Sequence, residues 1–122
     1  MTSPLVKFTR KMVLKFKVAF IGLYEGITTD ISIQIQVGFG ILALMIAFIF
    51  GFNEIEWAIW LICIGLVITL EFLNSAFEQM LDRFDPSYHV LTKRAKDLGA
   101  ASVLVSALIS LVIGIMFVVK HL

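Results

Sequence analysis

Cysteine, proline and charge are all scarce in this 122-residue chain. A single cysteine, Cys63, excludes an internal disulfide framework, a redox pair and a thiolate metal cluster. The two prolines, Pro4 and Pro86, stand outside the long apolar stretches, so nothing there interrupts a helix. Charged residues are 16% of the chain, against about 25% in soluble domains. Hydrophobic residues are 60%, against about 45–50%. Such a chain is not intrinsically disordered, which would need low hydrophobicity. A formal net charge of +1 leaves no basic bias toward nucleic acid, and none is expected as a partner. Missing too are the GxxxxGK[ST] phosphate loop, the GxSxG nucleophile turn and the HExxH zinc motif. The class that remains is an all-α integral membrane protein.

The charge-free stretches mark the spans. Between Asp30 and Glu54 lie 23 uncharged residues, and between Asp97 and Lys120 lie 22. Each is long enough to cross a hydrocarbon layer of ~30 Å at ~1.5 Å per residue. The stretch from Trp57 to Leu70 has only 14, about 21 Å of helix. That helix must therefore carry Glu71 into the membrane. The expected organisation is one membrane-embedded domain over 1–122, with a surface helix at about 5–29 and spans at about 32–52, 57–80 and 98–119.

Orientation follows from lysine and arginine. Lys7, Arg10, Lys11, Lys15 and Lys17 precede the first span. Arg83, Lys93, Arg94 and Lys96 lie between the second and third, and only Lys120 follows. This predicts a cytoplasmic N-terminus, with Trp57 and Trp60 in the outer aromatic belt. The N-terminal basic residues alternate with Leu5, Phe8, Met12, Val13, Phe16 and Phe20, which reads as an amphipathic helix on the inner membrane surface. The same charges also serve as a topology signal. Ser102, Ser106, Ser110 and Gly114 recur every four residues, a small-residue stripe that favours close helix packing in lipid.

The chemistry concentrates at the end of the second span. Glu71, Asn74, Ser75, Glu78 and Asp82 share one helical face. An ionisable group within the membrane is costly and is a functional candidate by default. The plain alternative for Glu71 is an interfacial carboxylate reaching water along its own helix. Carboxylates beside an amide suit Mg²⁺ carried in with a nucleotide, with Asp30 available to join Glu78. A carboxylate at leaflet depth can also take a proton from a lipid hydroxyl. Lys96 beside Asp97 supplies charge for phosphate, and Asp97 is also a candidate helix N-cap. His89 is an ordinary surface histidine on the plain reading.

The run Glu71-Phe72-Leu73-Asn74-Ser75-Ala76-Phe77-Glu78, then Asp82-Arg83, Tyr88-His89 and Arg94-Ala95-Lys96-Asp97-Leu98-Gly99-Ala100-Ala101, resembles the prokaryotic diacylglycerol kinase family, which includes undecaprenol kinases. The resemblance covers essentially the whole chain. It implies a homotrimer in the bacterial cytoplasmic (inner) membrane, with sites shared between subunits. It implies transfer of the γ-phosphate of ATP, with Mg²⁺, to a lipid alcohol: diacylglycerol first, undecaprenol as the alternative. On the family pattern Glu71 is the general base and Asn74 a residue needed for activity. Glu78 is the metal carboxylate, with Asp30 standing where the family usually has Glu. Ser87, Tyr88, His89, Lys96 and Asp97 fall at nucleotide positions, and Arg10, with Lys11 as rival, falls on an N-terminal arginine near nucleotide and lipid. From the residues alone, a small ion or proton transport subunit and a non-enzymatic membrane scaffold stay open.

Overall fold

The computed structural model describes residues 3–87 and 89–122, and they form four helices. The first, α1, runs Pro4–Thr29; Ser3 accepts a hydrogen bond from the Val6 amide at 3.2 Å, and Pro4 opens the helix. Asp30 ends it in extended backbone and starts the next: its Oδ1 accepts the Ile33 amide at 3.1 Å. That helix, α2, is Ile31–Phe50. Gly51 ends it at φ +68°, a left-handed conformation that glycine adopts without a Cβ clash.

Helix α3, Glu54–Phe84, begins on a reciprocal cap in which Asn53 Oδ1 accepts the Glu56 amide and Glu56 Oε1 accepts the Asn53 amide, both at 2.9 Å. Helix α4, Val90–Lys120, begins on His89, whose Nδ1 accepts the Leu91 amide at 3.1 Å. The helix thus starts well before the charges end, and Asp97 lies about two turns inside it rather than at its cap. Three helices, α2, α3 and α4, have the length and apolar composition to cross a membrane. At 31 residues, α3 and α4 are each about 46 Å long, so both project beyond a ~30 Å apolar layer.

The two long helices pack antiparallel. A Cβ on Gly114 would come within 2.6 Å of the Trp60 ring, so the small-residue stripe is where α3 seats its tryptophan. Trp60 Nε1 donates to the Ala43 carbonyl of α2 at 2.8 Å, which ties three helices at one point. Phe52 packs edge-on against Trp60 and Phe117, with ring centroids 6.0 and 5.4 Å away. Ser102, Ser106 and Ser110 donate to carbonyls of their own helix, Gly99, Val103 and Ser106, so among the described residues the stripe brings packing and no polar bridge to α3. Outside this core, large apolar side chains such as Phe39, Phe48, Ile62 and Leu108 are exposed, as a lipid-facing or subunit-facing surface requires. Helix α1 buries none of its side chains within the chain.

Candidate active site

The acidic face of α3 divides in two. Glu71 is 5% exposed, Asn74 7% and Ser75 6%. Glu78 and Asp82, one and two turns further, are exposed. Glu71 thus lies against the neighbouring helices rather than on an open face of α3. Asn74 stands one turn from Glu71 on the same buried face of α3, and the charges of Asp30 and Glu78 act on the Glu71 carboxyl.

Asp30 reaches this place because α1 and α2 meet there. A cavity of about 500 Å³ opens between α1 and α3, with Glu25, Thr29, Asp30, Thr69, Ser75 and Gln79 among its lining. On its apolar side the ring of Phe72 presses against Gly26 of α1. The cavity combines polar groups with apolar walls, which suits a lipid head and the start of its chains. No group of three histidine, cysteine or acidic side chains able to hold a metal exists among the described residues. Asp30 and Glu78 are oxygen donors of the kind Mg²⁺ takes, and that ion commonly keeps waters and substrate phosphates as its other ligands. One oxygen of Asp30 caps Ile33, and Glu78 is open to solvent.

The turn between α3 and α4 is organised by Asp85. Its Oδ1 accepts the Ser87 hydroxyl at 2.6 Å, and its Oδ2 accepts the His89 amide at 2.9 Å and the Thr92 hydroxyl. The hydroxyls of Ser87 and Thr92, with the His89 amide, hold this carboxyl well below the usual carboxylate range. Sequence reading singled out Ser87 and His89 and passed over Asp85. The Asp-Pro-Ser turn was its one local signal. Tyr88 lies outside the described residues.

Lys96 and Asp97 each form an ion pair with a different residue. Lys96 pairs with Asp82 across the two helices, whereas Asp97 pairs with Lys93 one turn back on α4, at 2.7 Å. Neighbouring helical residues point about 100° apart, which accounts for the division. Arg10 and Lys11 are exposed on α1, and Arg10 stands about 30 Å along the helix from Asp30.

Residues 17–118 match the family described as prokaryotic diacylglycerol kinase. The undecaprenol kinase of Bacillus subtilis is 34% identical over 101 residues, which is 83% of this chain and 82% of that protein. The diacylglycerol kinase of Escherichia coli is 36% identical over 72 residues, 59% of each chain. A diacylglycerol kinase of Synechocystis sp. is 30% identical over 104 residues, 84% of this chain and 59% of the relative. With the match running from α1 through α4 and across the buried Glu71–Asn74 face, the chain belongs to the prokaryotic diacylglycerol kinase family and is a lipid kinase.

Proposed function

We propose that this chain transfers the γ-phosphate of ATP to the hydroxyl of diacylglycerol, giving phosphatidic acid and ADP. The observation that carries the reading is the burial of Glu71 and Asn74, one turn apart on the same face of α3. Glu71 accepts the hydroxyl proton as the lipid oxygen bonds to the γ-phosphorus. The bond from phosphorus to the bridging oxygen breaks, and ADP leaves with that electron pair. Asp30 and Glu78 are the residues that would hold Mg²⁺, which when bound offsets charge on the phosphates. Lys96, held by Asp82, offers a cation to the nucleotide phosphates, and Asp97 a carboxylate on the neighbouring face. On this reading Ser87, Tyr88 and His89 serve as nucleotide contacts. The membrane itself supplies proximity, because it confines the hydroxyl to the plane of Glu71.

The assembly follows from what one chain leaves unfinished. The protein sits in the inner membrane as one domain, with α1 lying on the cytoplasmic surface through its lysines and exposed Phe8, Phe16 and Phe20. Its N-terminus and the α3–α4 turn face the cytoplasm, by the distribution of basic residues. Arg10, about 30 Å along α1 from Asp30, reaches the acidic face of a neighbouring copy in a homotrimer.

Undecaprenol is the second reading of the acceptor, favoured by the Bacillus subtilis undecaprenol kinase aligning over 82% of its own length, against 59% for the diacylglycerol kinases of Escherichia coli and Synechocystis sp.. The test is a side-by-side assay of the purified chain in bilayers with Mg²⁺, labelled ATP and either lipid. Label entering phosphatidic acid at the higher rate supports the first reading, and label entering undecaprenyl phosphate supports the second. Label in neither overturns both.

A further inference from the structure

We infer that Gly99 of α4 is a positioning residue for the proposed base, acting through Asn74; the inference rests on the lipid-kinase reading of this site. The two residues come from different helices, 25 positions apart. A Cβ on Gly99 would sit 2.5 Å from Asn74 Oδ1 and 3.6 Å from its Cγ. The amide oxygen thus occupies the space a side chain would fill. That oxygen is buried and accepts no hydrogen bond among the described residues.

The Asn74 amide has two unlike ends: an oxygen that only accepts and a nitrogen that only donates. With the oxygen turned to α4, the nitrogen is left for the Glu71 carboxyl, one turn back on the same buried face of α3. The reverse orientation would set the amide oxygen against a carboxylate and the NH₂ against a backbone carbon. Gly99 favours the first arrangement in two ways. It leaves the oxygen room, and its polarised Cα–H faces that oxygen, a weak contact common where helices approach closely. Any larger residue at position 99 pushes the amide away and with it the donor that fixes the base. Displacing a catalytic neighbour by about 1 Å costs up to ~100-fold in rate, so one methyl group is a sufficient probe.

The experiment is a double-mutant cycle on the full chain in bilayers, with diacylglycerol and undecaprenol each offered as acceptor. Gly99→Ala lowers turnover about tenfold to 100-fold while KM for Mg-ATP changes by less than about twofold. Alanine improves helix propensity, so the substitution favours α4 itself. In the Asn74→Ala background the same change has little further effect, because its target is gone. Equal losses in both backgrounds would mean that Gly99 acts by packing alone and would overturn the assignment. Gly65→Ala, where a Cβ meets nothing within 4 Å, keeps its turnover. A second readout needs no activity. The Asn74 side-chain amide NMR signals, identified by their loss in Asn74→Ala, shift in Gly99→Ala and stay in place in Gly65→Ala. Unmoved signals in Gly99→Ala overturn the inference. If the wild type phosphorylates neither lipid, the kinase reading fails, and the amide signals still decide the role of Gly99.

Discussion

His121 Nε2 lies 2.8 Å from Glu56 Oε1, joining the last turn of α4 to the first turn of α3. Lys120 approaches the other carboxylate oxygen at 3.6 Å, and Phe52 stacks on the His121 ring. Antiparallel packing brings an acidic residue at one helix N-terminus to basic residues at the other's C-terminus, so both helix dipoles favour the contact. Glu56 is only 3% exposed, so a lost partner is not replaced by bulk water. His121→Ala and Glu56→Ala should each lower the thermal unfolding midpoint in detergent. The double variant should be little worse than Glu56→Ala, because the two share one interaction. Additive losses would show that the contact contributes nothing.

Trp60 and Gly114 form a tight seam between α3 and α4. Trp60→Ala should cost about 3–5 kcal/mol, the usual range for emptying an aromatic site. Gly114→Leu should be destabilising as well, since the ring has no room to give way. Reversible unfolding in detergent micelles measures both. A Gly114→Leu variant of wild-type stability would contradict the packing described.

Glu78→Gln should raise the Mg²⁺ concentration needed for half-maximal turnover. Asp30→Asn should act in the same direction while keeping its cap on α2, since asparagine caps helices as well as aspartate does. A Mg²⁺ titration at saturating ATP measures each, and unchanged metal dependence in both would remove them as ligands.

The Asp85 hub makes a prediction about pH. Its carboxyl is held below the ordinary value by hydrogen bonds present only in the fold. Its contribution to stability is therefore complete above the unfolded value of about 3.9 and fades as pH falls through the folded value. Limited proteolysis at the α3–α4 turn should show steady protection from about pH 8 to pH 5. Asp85→Ala should open the turn across that whole range. A turn that loosens on the neutral side of the window would contradict the assignment.

Three apolar helices were legible from charge alone, because a stretch such as 31–53 without a charge has little alternative to crossing a membrane. The face from Glu71 to Asp82 was legible from helical periodicity. What periodicity does not give is the register between helices. Nothing local to Asn74 announces Gly99, and nothing local to Glu56 announces His121. The start of α4 was hidden for a different reason. Hydropathy marks where the apolar layer begins, whereas the helix begins where His89 caps it, before Lys93, Arg94 and Lys96. Asp97 then lies inside a helix and pairs with Lys93, while Lys96 turns to Asp82. Asp85 escaped notice because its three partners converge only once the turn has closed.

The central claim is that Glu71 removes the proton from the lipid hydroxyl. Glu71→Gln keeps the shape and the neighbour Asn74 but cannot accept that proton. Reconstituted in bilayers with Mg²⁺, labelled ATP and each lipid, it should lose about 100-fold or more in turnover with little change in KM for ATP. Turnover near that of the wild type would contradict the account.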